Sequence, residues 1–265
     1  MEYGKYSFVI DNMDFSYSRL SSFDDCKYKW FMRYLLDEKE EEMFFASYGK
    51  FMHSLLERFY KKEITKSEML SEYITSYSAS VQGERPDGNI AESYFKNGLE
   101  YLKSFTPLPY KVLSVEERAE IDLFGYHFVG YPDLVCEDED GVIIIVDNKS
   151  ADIKPRSNRC KPTLNDQKLD KMLIQLYIYA AFVEKKYGRL PGWFIFNCYR
   201  TNTIIREPFV YEKYHQAKEW VKDKIAEIRM EEEFPPNVEY FFCKHLCGLH
   251  NECVYYPSKY KKRGV

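Results

Sequence analysis

The sequence predicts an α/β fold, a mixed central sheet flanked by helices, in a single domain over residues 1–265. Three observations predict it. Val142-Ile-Ile-Ile-Val146 is a short, continuously apolar, β-branched run, the pattern of a central strand buried on both faces. Long segments with apolar residues at helical spacing lie on either side of it, at 46–60 and 166–187. Two hairpin patterns, one around that run and one at 193–211, supply further strands.

Composition narrows the class. With 265 residues, 45% hydrophobic and 30% charged, the chain can bury a sizeable core. Its net charge of −4 gives no support to nucleic-acid binding, so any basic groove is local. Aromatics reach 17%, with 24 Tyr and 19 Phe; most are ordinary core and rim residues. No apolar run reaches membrane-spanning length, and residues 1–10 lack a signal-peptide core. The expected location is cytoplasmic, where disulfides are rare, so the seven cysteines need another account.

From the N-terminus, a helix begins at Ser18 or nearby and carries Leu20 and Phe23; a second carries Trp30, Phe31, Tyr34 and Leu35. Cys26 falls between them, and 37–42 is an acidic, solvated loop. Residues 46–60 form a helix with Phe51, Met52, Leu55, Leu56 and Phe59 on its apolar face, and His53 and Glu57 share a face at i, i+4. Residues 64–105 read as a helical insertion with a loop at 82–88, and 112–124 as a strand with Val115, Ala119, Ile121 and Leu123.

The centre of the chain is two strands, Tyr126–Cys136 and Val142–Val146, joined by an acidic turn with the hairpin signal Asp140-Gly141. A buried strand has no use of its own for Asp147 and Lys149, which point to the same side two residues apart. Asp133, beside Pro132, lies on the partnering strand. Two carboxylates and a lysine would then converge at one hairpin end. Two carboxylates suit a hard divalent cation, Mg²⁺ or Mn²⁺, which polarises a phosphate and lowers the pKa of a water. An adjacent lysine can hold or deprotonate that water, or neutralise charge developing on the phosphate. An exposed hairpin end with solvated charges fits these three residues equally well.

Beyond Lys149, the loop holding Lys154, Arg156, Arg159 and Lys161 suits a grip on phosphates by charge alone. Asp166–Tyr187 is a helix with Gln175 and Tyr179 at i, i+4 and Gly188 as its C-cap. Trp193–Cys198 and Ile204–Tyr211 form a hairpin, followed by an amphipathic helix over Glu212–Met230 that ends before Phe234-Pro-Pro-Asn237. The tail places Cys243, Cys247 and Cys253 within eleven residues, a metal or cluster signal short of one thiolate. Cys26 is the evident fourth. Cys136, Cys160 and Cys198 read as buried apolar residues.

In order, Gly49-Lys-Phe-Met-His53, Gly130-Tyr-Pro-Asp133, Val146-Asp147-Asn-Lys149 and Gln175-Leu-Tyr-Ile-Tyr179 resemble the Gly-x-x-x-His, Gly-x-x-Asp, Asp-x-Lys and Gln-x-x-x-Tyr motifs of the RecB-type nucleases of the PD-(D/E)xK superfamily. The setting of Cys26 and the C-terminal cysteines resemble the iron–sulfur staple of AddB and of the CRISPR-associated RecB-like exonucleases, so the likeness spans Tyr17 to Cys253. The resemblance implies a restriction-endonuclease-like core. It implies metal binding by His53, Asp133, Asp147 and the carbonyl of Asn148, with Lys149 orienting or activating water. Gln175 and Tyr179 would position Lys149 or the DNA strand, and Glu57 would take an outer role. Cys26, Cys243, Cys247 and Cys253 would hold a 4Fe-4S cluster that joins the termini. One departure is the spacing of Cys243 and Cys247, three residues where the family usually has two, so Zn²⁺ or a cluster of altered geometry stays open.

The implied function is a metal-dependent DNA nuclease in recombination, repair, phage or CRISPR-related processing. Exonuclease action on single strands or duplex ends is favoured over site-specific cutting. The alternative is a catalytically silent nuclease-fold module partnering a helicase, recombinase or CRISPR protein.

Overall fold

The computed structural model describes residues 4–257. Its five-stranded sheet has the order β1-β4-β5-β6-β7, and β5 (Ile143–Lys149) takes the middle place that its apolar run requires. β4 (Leu134–Glu137) pairs with it antiparallel and β6 (Trp193–Cys198) pairs parallel, so the sheet is mixed. β1 (Lys111–Val115) and β7 (Thr203–Pro208) are the edges, both antiparallel to their neighbours. In the β4–β5 turn, Asp138 Oδ1 accepts from the amides of Asp140 and Val142, and Gly141 takes the left-handed conformation at φ +77°.

Two strands read as continuous are each broken. Residues 126–136 divide into β3 (Tyr126–Gly130) and β4 at Tyr131-Pro132-Asp133, where Pro132 has no N–H to give a ladder. Residues 112–124 divide into β1 and β2 (Ala119–Leu123) at Glu116, whose φ is +47°. β2 and β3 form a separate two-stranded ribbon. Ile204–Tyr211 is also shorter than read. The strand stops at Pro208, and helix α8 (Tyr211–Met230) starts at once.

Alternation along the sheet sorts the core. Val135, Ile143, Ile145, Phe194 and Phe196 join the main core with Leu173, Leu176 and Ala180 of helix α7 (Leu164–Tyr187). Leu134, Cys136, Ile144, Val146 and Ile195 form a smaller cluster against Tyr60, at the end of helix α4 (Phe44–Tyr60). The period of two decides which β5 residue meets which helix, and it holds past the apolar run.

Helix α7 begins two residues earlier than read, at a capping box. Thr163 Oγ1 accepts from the Asp166 amide, and the Asp166 carboxylate accepts from the Thr163 amide. Gly188 ends it in the left-handed conformation. Gly130 permits a close approach of this helix. A Cβ there would lie 2.6 Å from Phe182 Cε2 and 2.9 Å from Tyr179 Cε1.

The 64–105 segment supplies α5 (Lys66–Ser80) and α6 (Ile90–Ser104), which pack on α4 through Tyr73, Tyr77, Tyr101 and Leu102. Helix α4 carries His53, so this cluster holds the histidine's support in place. The N-terminal helices α1 (Ser7–Asp11), α2 (Tyr17–Asp25) and α3 (Lys27–Tyr34) dock far along the chain. Ser16, two residues before the expected cap, accepts from the Arg19 amide. Phe234 inserts among Tyr6, Phe23, Trp30 and Phe31, and Lys27 pairs with Glu231 at 2.7 Å. A last short helix, α9 (Tyr240–His245), follows. Among the described residues, no helix is long and apolar enough to cross a membrane.

Two further expectations are corrected. Arg156 does not reach outward for phosphate; it bridges Asp170 at 2.8 Å and Glu207 at 2.9 Å, tying the 151–163 loop to α7 and β7. Lys154, Arg159 and Lys161 stay exposed. Cys160 is exposed in the same loop, whereas Cys136 and Cys198 are buried.

Two outcomes follow from this packing. Gly130→Ala should cost about 1–3 kcal/mol of stability through overpacking, read by chemical denaturation; an unchanged midpoint would mean that α7 yields there. Arg156→Ala should free the 151–163 loop, so trypsin should cut after Arg159 several times faster than in the wild type while the circular-dichroism spectrum stays the same.

Candidate active site

The polar residues at the end of β5 keep its alternation. Asp147 and Lys149 lie on the face covered by α7, with Lys149 Nζ 2.7 Å from Asp147 Oδ2 and donating to Gln175 Oε1 at 2.9 Å. Gln175 Nε2 in turn donates to the Tyr179 hydroxyl at 3.0 Å, one helical turn on. Asn148 faces the other way. Its side-chain oxygen accepts from Asn197 Nδ2, which also donates to the Tyr101 hydroxyl of α6, both at 2.7 Å. The Asn148 backbone therefore stays fixed, with its N–H and C=O turned to the site.

Those two backbone groups order the rest. The Asn148 N–H donates to Asp133 Oδ2 at 2.6 Å, and the Asn148 carbonyl accepts from His53 Nε2 at 2.8 Å. With its proton on Nε2, His53 presents Nδ1 to Asp133 Oδ2 at 3.5 Å and to Glu116 Oε1 at 3.6 Å. Glu116 stands in the left-handed turn that ends β1, and its N–H donates to the Asp133 carbonyl at 3.0 Å. Among the described residues, His53, Glu116 and Asp133 offer ligand atoms that all lie within 4.8 Å of one another.

The structure thus brings together His53, Asp133, Asp147, Asn148, Lys149, Gln175 and Tyr179. It does not bring Glu57 in; that carboxylate pairs with Lys61 at 2.6 Å. Glu116 is the residue that sequence reasoning missed. Its signal was the acidic pair Glu116-Glu117 at the end of an alternating strand, hidden when 112–124 is taken as one element.

Burial shapes the electrostatics. Asp133 and Asp147 are 7% and 1% exposed. Burial pushes Asp133 up to about 7, against the pull of His53 and with the help of Asp147 and Glu116. Burial alone would lower His53, but Asp133, Glu116 and Asp147 outweigh it and raise it to about 9. Lys149 is likewise lowered by burial and raised more by Asp147, ending above its ordinary value. A site that gathers this much negative charge and compensates it with protons suits a divalent cation. Two details fit one. Asp147 Oδ2 is buried with no hydrogen-bond partner beyond its ion pair with Lys149, and the Nε2–H bond to a carbonyl is the usual outer support of a ligating histidine. The donors, mostly oxygen with one imidazole, match Mg²⁺ or Mn²⁺.

A second group lies apart. Cys26, Cys243, Cys247 and Cys253 line one small cavity together with His250, and all four thiols are free. Cys26 Sγ accepts from the amides of Lys29 and Asn237, each at 3.4 Å. Burial, with Cys26 and Cys253 nearby, raises the Cys243 thiol. His245 is not in the cavity lining; its ring packs on Phe241 and Phe45.

The profile of the PD-(D/E)XK nuclease superfamily matches residues 14–254. A crystal structure from Eubacterium rectale, named “Putative exonuclease”, shares the fold at a TM-score of 0.52 and 14% identity, covering 96% of this chain and 94% of that one. The crystal structure of SSO0001 is 16% identical over 90% of this chain and 98% of that one, with a TM-score of 0.31, too low to compare folds. No curated protein matches the sequence. The family match covers nearly all of the described residues, and the carboxylates and lysine stand together at the end of the central strand: the chain belongs to the PD-(D/E)XK nuclease superfamily.

Proposed function

We propose that this chain is a metal-dependent deoxyribonuclease that hydrolyses DNA phosphodiesters as an exonuclease at single-stranded or duplex ends. The observation that carries the reading is the convergence of His53 Nδ1, Glu116 and Asp133 beside the Asp147–Lys149 pair. His53, Glu116, Asp133 and Asp147 would hold Mg²⁺ or Mn²⁺, with the second lone pair of the Asn148 carbonyl available to help. A cation bound there supplies Lewis-acid polarisation of the scissile phosphate and makes water more acidic.

The chain's own residues do the remaining work. Asp147 and Gln175 fix the Lys149 ammonium from two sides, so it meets the phosphate in one orientation, where it holds water and offsets developing negative charge. Tyr179 fixes Gln175 and acts through it, as a positioning residue. The groups gathered here suit a metal ion, a water and a phosphate, which are contacts to the DNA backbone. The name of the Eubacterium rectale neighbour lends the exonuclease reading support.

For the cysteines we propose a 4Fe-4S cluster, with Zn²⁺ as the alternative, held by Cys26, Cys243, Cys247 and Cys253. The support is their shared cavity and the two amide N–H groups aimed at Cys26 Sγ.

Purified protein with Mg²⁺ or Mn²⁺ should degrade DNA, and EDTA should stop it. Lys149→Ala and Glu116→Gln should each lower the rate about a hundredfold or more, compared at a temperature where circular dichroism shows each variant folded. Cleavage that survives in both would place the chemistry elsewhere, and no cleavage by metal-loaded wild type would leave a silent DNA-binding module. Cys26→Ala should lose bound iron or zinc and melt well below the wild type, since one residue ties the two ends of the fold; a variant that keeps its metal and its melting point would remove the staple.

A further inference from the structure

A cavity of about 420 Å³ opens directly beside the site, outside the metal-binding and lysine-holding groups. Its inner wall is Gln175 and Tyr179, the pair that holds Lys149. Its outer walls come from three separate places: Tyr17 and Arg19 on α2, Arg118 in the link between β1 and β2, and Tyr131 in the break between β3 and β4. The lining holds two arginines, Arg19 and Arg118, and one acidic residue, Asp14. Arg19 is fixed by stacking on Tyr34 at 4.6 Å and by a bond to the Asp14 carbonyl. Arg118 is half exposed and makes a surface ion pair with Glu120. Tyr131 is 47% exposed, a large ring in the cavity lining that is still open to solvent.

That combination matches the parts of one nucleotide. Guanidinium groups recognise phosphate with directed N–H bonds, and an exposed tyrosine ring offers a stacking face to any base. The volume lies within the range of small-ligand sites and is enough for a single nucleotide, and a ring that stacks on a base face takes a base that is not already stacked in a duplex. The cavity is also contiguous with the residues that orient Lys149, so its occupant would be next to the scissile phosphate.

We propose that this cavity seats the unpaired nucleotide flanking the scissile phosphate of a single DNA strand, with Arg118 and Arg19 on its phosphate and Tyr131 on its base. The assignment rests on the nuclease reading and adds to it that the enzyme engages a strand one nucleotide at a time, so a blunt duplex must fray before it enters. Arg118 and Tyr131 are the residues to change, because both are surface-exposed and neither belongs to the metal-binding or lysine-positioning set.

The experiment is binding of a fluorescein-labelled oligothymidylate of about 16 nucleotides, followed by anisotropy in EDTA so that no cutting occurs. Tyr131→Ala should weaken binding about fivefold or more and leave the salt dependence unchanged. Arg118→Ala should weaken binding and lower the slope of log Kd against log salt by about 0.7, the value of one lost phosphate contact on a single strand. In parallel, with Mn²⁺, both variants should raise KM on single strands more than they lower kcat. Wild-type affinity and slope in both variants would overturn the assignment even if the wild type cuts DNA. Equal loss on single strands and on a blunt duplex would overturn its single-strand character. Failure of the nuclease reading shows separately, as a wild type that binds but does not cut.

Discussion

The hydrogen bond from the Asn148 amide to Asp133 is the link on which the site depends. It reaches from the next-to-last residue of the central strand to the residue just before its neighbour, where Pro132 has broken the ladder. It therefore does two things. It satisfies a carboxylate that is almost wholly buried, and it fixes the distance between two strand ends that have no regular pairing to fix it. The neighbouring carbonyl of Asn148 does the same for His53 from the opposite layer. One peptide segment thereby gathers groups from a helix and three strand ends, and the side-chain oxygen of Asn148, held by Asn197, helps to keep that segment still.

Packing and chemistry share a single rule here. β5 sends alternate residues to α7 and to the α4 layer for its whole length. When its composition changes from isoleucine and valine to Asp147, Asn148 and Lys149, the alternation does not. The helix that covers Ile143 and Ile145 with leucine covers Lys149 with Gln175. The polar site is the last layer of the hydrophobic core, with the same geometry and different atoms, and this explains how buried charges are tolerated: each meets a partner already placed by packing.

Much of this was legible from residue spacing. Asp147 and Lys149 two apart on a strand, Gln175 and Tyr179 four apart on a helix, and the apolar run before them are local patterns, and local patterns survive folding. What failed was continuity. Pro132 and the left-handed Glu116 each cut a strand that alternation alone would carry through, and Glu116 became visible as a site residue only once its turn was in place. Arg156 was read by charge as a phosphate contact; its carboxylate partners lie 14 and 51 residues away, and spacing says nothing about those. Cys160 was read as buried by residue type, but it sits in a loop whose polar neighbours keep it at the surface.

The docking of Phe234 and α8 against the first helices has a consequence for the order of events in the cell. Phe15 and Tyr17 meet Phe128 and Lys171 in the middle of the chain, but Phe23, Trp30 and Phe31 pack around Phe234, and Cys26 and Lys27 reach Asn237 and Glu231, contacts of very long sequence separation. A ribosome releases them in the wrong order for early closure, so the N-terminal helices must wait, with Trp30 and Phe23 uncovered, until almost all of the sequence has been made. A nuclease built this way completes itself last at its ends. A truncated copy would expose its aromatic core to quality control before it could persist as a stable fragment.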